Sequence, residues 1–183
     1  LFRLGKTNAA DYKVLSNGPV KSAFRLRYNG WQVNGSSYDL EEKISIQASK
    51  RWYLNEIKVI NQQQQDTLIT GIVNLKDNSS KYFYQDGWHC LYSHGKQSEN
   101  DDFLGMAILI PDEHFVQPTE KSYPSTDISD THLVFLKPHD GQYQYIFYAG
   151  WQGEDERFAD RAYFEQQLKN EINNRRQKIK ISK

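Results

Sequence analysis

The chain has 183 residues, and its 23 Lys plus Arg balance 23 Asp plus Glu, so the formal net charge is zero. That balance offers no basic footprint for a nucleic acid or an acidic membrane surface, and no apolar run approaches the roughly 20 residues of a membrane span. A single cysteine, Cys90, excludes an internal disulfide and a cysteine-built zinc cluster.

Leu1 to Ala10 has no clear period and reads as a lead-in. Tyr12 to Leu15 is a short strand closed by the turn Ser16-Asn17-Gly18-Pro19. Val20 to Tyr28 alternates, with Val20, Phe24, Leu26 and Tyr28 on one face and Lys21, Arg25 and Arg27 on the other. Asn29-Gly30 is a hairpin signal, with Trp31 and Val33 opening the return strand. After a turn at Asn34 to Ser37, Tyr38 to Ala48 alternates again, and Arg51 to Ile60 is a strand of weaker phase. Asn61 to Asp66 reads as a loop. Thr67 to Leu75 is apolar on both parities, the pattern of a strand covered on both faces. Asp77 to Ser80 is a turn.

The stretch Tyr82 to Pro111 reads as strand, acidic loop, strand. If its first strand is unbroken, Trp88, Tyr92 and His94 share one face with Tyr82 and Tyr84, because side chains alternate. Asp86-Gly87 is a turn signal that would reset this phase. Asp112 to Asp130, with Pro118 and Pro124, is an irregular loop of a length that is often functional. Thr131 to Leu136 and Tyr143 to Ala149 are the last strands, joined around Asp140-Gly141. Beyond Gly153 the period changes. Asp160 can cap a helix whose residues Tyr163, Phe164, Leu168 and Ile172 recur at helical spacing. Arg175, Arg176, Lys178 and Lys180 suit its negative end or a solvated tail. Together these elements predict an antiparallel β-sandwich over residues 1–153 and a helix over 158–178, in one domain. The chain begins at Leu1 and its only Met is Met106, which reads as the C-terminal part of a longer protein.

Aromatics make up 14% of the chain, with 12 Tyr, although mean hydropathy is −0.81. Sheets that are polar yet aromatic commonly use an exposed face for recognition, and an aromatic face with a few polar groups suits a sugar ring. Trp31, Trp88 and Trp151 each follow a glycine and are candidate sugar-stacking platforms. Cleavage of a uronate by elimination needs a base and a group that neutralises the developing enolate. Tyr84, Tyr92, His89 and His94 are the candidates for that proton transfer, His89 and His94 lying on opposite faces of a straight strand. A glycosidase pair would come from Glu99, Asp101, Asp102, Asp112 and Glu113, with Asp102 the preferred member. Glu99-Asn100-Asp101-Asp102 could hold a calcium ion, although it lacks the spacing of an EF-hand loop; no cofactor and no other metal is expected. Cys90, between apolar neighbours, reads as buried and inert.

The segments Leu15–Trp31, Leu68–Val73, Gly87–Pro111 ending in DDFLGMAILIP, His132–Pro138 and Tyr145–Trp151, followed by a short amphipathic helix, resemble in order and spacing a bacterial family catalogued as domain of unknown function 4861. The resemblance runs from Leu15 to Leu168 and implies a match to the later half of a protein about twice this length. It implies a galactose-mutarotase-like supersandwich, export to the periplasm or cell exterior, and a setting among pectin- and polysaccharide-degrading proteins of Bacteroidetes-like bacteria. The expected function is a carbohydrate-active module acting on uronate-containing glycans. The alternatives are a non-catalytic carbohydrate-binding sandwich and a structural partner of a missing N-terminal half.

Overall fold

The computed structural model describes residues 4–60, 67–74, 76, 78–119 and 130–176. Among the described residues, eleven strands form two antiparallel sheets: β1 (Ala9–Asn17), β2 (Lys21–Val33), β3 (Ser36–Gln47), β4 (Trp52–Val59), β5 (Leu68–Val73), β6 (Ser80–Gln85), β7 (Trp88–Lys96), β8 (Phe103–Pro111), β9 (Phe115–Pro118), β10 (Thr131–Leu136) and β11 (Tyr143–Trp151). The large sheet has eight strands in the order β1-β2-β3-β4-β11-β8-β7-β6, and the small sheet three in the order β5-β10-β9. One helix, α1 (Arg161–Arg176), follows. Among the described residues, no helix is long and apolar enough to cross a membrane.

Alternation sends the large sheet's side chains into two separate cores. One face packs Leu40, Ile57, Leu91, Ile108, Ile110, Tyr143 and Tyr145 against Ile72, Val134 and Leu136 of the small sheet. The other packs Trp52, Cys90, Tyr92, Leu109, Ile146 and Tyr148 against Phe158 of a 3-10 turn and Phe164, Leu168 and Ile172 of α1. The sheet is therefore the middle of three layers, the mainly β, sandwich-like arrangement that its alternating strands demand.

Two directly paired glycines let the helical layer come close. Gly105 of β8 faces Gly150 of β11 across the ladder. A Cβ on Gly105 would sit 2.5 Å from the Phe164 ring, and one on Gly150 2.5 Å from the Phe158 ring. The space beside Gly150 thus holds a core phenylalanine. Asp160 caps α1 by accepting from the Ala162 N–H at 2.8 Å. Before it, Asp155 accepts from the Arg157 N–H at 3.1 Å and takes the Arg157 guanidinium at 2.8 Å. Arg157 holds the Asp155 carboxyl down at about 2 from its usual 3.8. A carboxyl depressed on folding stabilises the fold above its unfolded value, and that contribution disappears as pH falls from about 4 towards 2. Asp155→Asn should therefore flatten the acid limb of the stability curve, read from urea midpoints across that range.

Several expectations are corrected. Asn29-Gly30 makes no hairpin: β2 runs through it, and the register with β3 shifts between Tyr28 and Trp31. Gly30, at φ +68, is the bulge, its N–H bonded to Asp39 Oδ1 at 2.8 Å. Ser80 to Lys96 is two strands, because Asp86-Gly87 is a tight turn with φ of 49° and 81°. β5 is an edge strand of the small sheet; only Ile72 is fully buried, and Val73 is exposed. The expected loop after Asp112 begins with a 3-10 turn and β9, while residues 120–129 lie outside the described residues. So does the expected loop at 61–66. The helix starts at Arg161 rather than at residue 158, which belongs to the 3-10 turn Glu156–Ala159. Lys178 and Lys180 also fall outside the described residues.

Candidate functional site

The face carrying Trp88, Tyr92 and His94 is covered, not open. All three point at the helical layer. The Tyr92 hydroxyl donates to Glu165 at 2.7 Å, and burial raises its pKa, helped by that bond. Lys169, at 2.7 Å, and Tyr92 hold the Glu165 carboxyl below the usual range. His94 donates from Nε2 to the Phe158 carbonyl at 2.8 Å, between the rings of Phe103 and Phe164. Burial lowers its pKa and keeps it neutral. Trp88 is half-buried beneath the Arg175 guanidinium. Cys90 is sealed, and burial pushes its thiol up, as an inert core thiol requires. These groups anchor α1 rather than line a groove.

His89 looks the other way, towards the small sheet. The tight turn sets Tyr84 opposite His89 and Tyr82 opposite Leu91, so both tyrosines share its face. His89 is 9% exposed and lies flat on Phe115, the first residue of β9, with ring centroids 3.6 Å apart. Tyr84 tilts over it at 4.8 Å. Both ring nitrogens are engaged: Nε2 lies 2.7 Å from Asp112 Oδ1, and Nδ1 lies 2.6 Å from the Tyr82 hydroxyl. An ionised carboxylate can only accept, so Nε2 carries the proton. Nδ1 then offers its lone pair, and the Tyr82 hydroxyl donates to it. The result is a chain Tyr82–His89–Asp112 on the rim beside the edge strand β6. Burial, then the negative charge of Asp112, raises the Tyr82 pKa, so the phenol holds its proton. Asp112 is held in place by its backbone N–H, which bonds the Gly87 carbonyl at 3.0 Å across the end of the hairpin.

Of the predicted acid–base residues, the structure therefore groups His89 with Tyr84 and leaves Tyr92 and His94 on the opposite side of the sheet. Tyr82 as a proton donor was missed. Its signal was the register itself: reading Asp86-Gly87 as a two-residue turn pairs Tyr82 and Tyr84 with the His89 side of β7.

Asp102 lies elsewhere, in the acidic loop. It accepts from the Ser98 hydroxyl and from Trp151 Nε1, the latter at 2.9 Å. These two bonds hold its carboxyl below the usual range. Asp101 pairs with Lys76 at 2.8 Å. Among the described residues, no group of three or more His, Cys, Asp or Glu is placed to hold a metal. Trp151 is 41% exposed. Trp31, by contrast, is half-buried, packed against the core between the sheets. His132 donates to the Asn78 carbonyl at 2.8 Å, and His114 meets His139 edge to face at 5.8 Å.

The fold and these sites define an antiparallel β-sandwich with a helical flank and a hydrogen-bonded Tyr82–His89–Asp112 chain at one rim. The chain belongs to the family described as Domain of unknown function (DUF4861), whose sequence model matches residues 1–181. That match extends beyond Leu15–Leu168 at both ends and replaces the expectation of a later-half resemblance. The chain is similar to an uncharacterised protein, P7, of Formosa agariphila: the two are 26% identical over 165 residues, covering 88% of this chain. The chain spans 39% of that relative's length. No solved structure matches it.

Proposed function

We propose that the chain is a carbohydrate-active module of a bacterial polysaccharide-degradation system, working outside the cytoplasm on uronate-containing glycans. On this reading the arrangement is a galactose-mutarotase-like supersandwich. The observation that carries the reading is the Tyr82–His89–Asp112 chain. It joins an exposed phenol to a buried imidazole whose far nitrogen is fixed by a carboxylate. Such a relay can accept a carbon-bound proton on the Tyr82 oxygen while the phenolic proton passes to His89 Nδ1, with Asp112 stabilising the imidazolium. The same proton can return through Tyr82 to a departing sugar oxygen. Tyr84, exposed beside His89, supplies a ring for the sugar face.

The test is a panel of uronate-containing and neutral glycans, followed by absorbance at about 235 nm for an unsaturated product and by reducing ends for hydrolysis. Turnover of uronate substrates with a rise in absorbance supports the reading. Binding without turnover supports a non-catalytic carbohydrate-binding sandwich, which the exposed, carboxylate-anchored Trp151 favours. Trp151→Ala then weakens glycan binding about three- to tenfold in calorimetric titration, the range for a stacking aromatic. Unchanged affinity would remove Trp151 from the binding surface.

A further inference from the structure

The large sheet ends at β1, whose outer edge pairs with no strand among the described residues. The Asn8 N–H bonds the Asn29 carbonyl at 2.8 Å. By the two-residue period, the backbone groups of Ala10, Tyr12 and Val14 turn inward to β2, and those of Asp11 and Lys13 turn outward. Proteins usually blunt such an edge with a bulge, a proline or charges of one sign. Here the bulge falls after Val14, and Ala10 to Val14 keeps an unbroken register with β2.

The segment Ala10-Asp11-Tyr12-Lys13-Val14 reads alike in both directions, with its two charges of opposite sign. We propose that this edge pairs with the same edge of a second copy of the chain, antiparallel, with the two-fold axis at Tyr12. In that register Asp11 of one copy faces Lys13 of the other, twice. The outward N–H and C=O groups of these residues meet, so each Asp11–Lys13 pair exchanges both of its backbone bonds. Shifting the axis to Asp11 or to Lys13 also keeps the ladder in phase, but it sets like charges opposite each other. Only the Tyr12 axis satisfies both the backbone and the charges.

The charges within one copy favour the same answer. Lys13 has Arg25 as its cross-strand neighbour, a like-charge pair, and Asp11 bonds Arg25 at 3.2 Å. The second copy's Asp11 supplies the counter-charge that Lys13 lacks across β2. On the other face Ala10, Tyr12 and Val14 meet Val14, Tyr12 and Ala10. Tyr12 is 61% and Val14 51% exposed in the single chain. They lie in rows with Leu26 and Phe24 of β2, so pairing makes one continuous apolar face from two. The ladder is short and buries less than a standard interface, so the association is concentration-dependent.

Sedimentation velocity from about 10 to 500 μM tests the proposal, a span suited to a small interface. A monomer–dimer equilibrium is expected. Asp11→Lys and Lys13→Asp alone each weaken it about tenfold, and the double exchange restores it to within about threefold. Restoration is the decisive reading, because damage to β1 alone would not be reversed by a second change. Tyr12→Cys places two thiols across the axis at a non-hydrogen-bonded position and should give a covalent dimer on mild oxidation. Lys13→Cys should crosslink at least about tenfold less, since its thiols are offset along the ladder. The only native thiol, Cys90, is sealed and contributes no background. A monomer throughout the range, a dimer indifferent to single charge reversal, or equal crosslinking at both positions overturns the proposal.

Discussion

Tyr82→Phe is expected to lower turnover of the uronate substrate by about 10² to 10⁴, the usual contribution of a positioned acid–base group. In activation terms this is about 3 to 5 kcal/mol. The substitution keeps the ring, which stacks on Phe115 at 6.0 Å, and removes only the hydroxyl that donates to His89. KM should change little, and the far-UV spectrum not at all. His89→Gln should cost as much, because it removes the acceptor of the phenolic proton. Asp112→Asn should cost less. Its carboxylate is 65% exposed, so water screens part of what it does for the imidazolium. Unchanged kcat in Tyr82→Phe would sink the relay, whatever the other variants do.

How far the sequence disclosed this arrangement depended on the range of the interaction involved. Asn34-Gly35, Asp86-Gly87 and Asp140-Gly141 were readable as turns, and each has positive φ at both residues. Such geometry is a local property of the dipeptide. Asn29-Gly30 has the same composition, yet only its glycine takes positive φ. There the neighbouring chain decides: β3 continues past the site, and Lys6 and Asn8 ahead of β1 still bond Gln32 and Asn29, so the chain bulges instead of reversing. The alternation in β7 was equally plain, and it correctly put Trp88, Tyr92 and His94 on one side. What covers that side is a helix about 70 residues further along the chain. No local pattern in β7 names it. His89 emerged as a candidate because its type is rare and chemical. Its partner Tyr82 did not, because an unbroken strand was one of two phases allowed, and that phase carried the tyrosine to the wrong face. The helix itself was legible from Phe164, Leu168 and Ile172, which the structure buries completely.

Phe164→Ala should be the most damaging change to the fold. Its ring is fully buried among Tyr92, His94, Tyr148 and Phe158, over the bare backbone of Gly105. Truncation loses the transfer energy of the ring and leaves a cavity, about 3 to 5 kcal/mol together. Whole-domain stabilities are about 5 to 15 kcal/mol, so the melting point should fall by roughly 6 to 20 °C. Gly105→Ala damages the same contact from the other side. Its methyl would meet the ring at 2.5 Å, and a packed aromatic cannot swing aside, so overpacking of about 1 to 3 kcal/mol is expected. The two changes share one space, so they should not add. In the double variant the methyl introduced at position 105 occupies part of the void left by the missing Phe164 ring. The combined loss should then fall short of the sum by about 1 kcal/mol or more, measured as urea midpoints in a double-mutant cycle. Strict additivity would mean that the helix sits on the sheet without using the glycine trough. The consequence reaches the relay, because α1 presses on the underside of β7, the strand whose upper side carries His89. Loosening the helix should therefore reduce turnover before the chain unfolds, at urea concentrations where the near-UV signal of the tyrosine cluster has begun to fall but the far-UV signal has not.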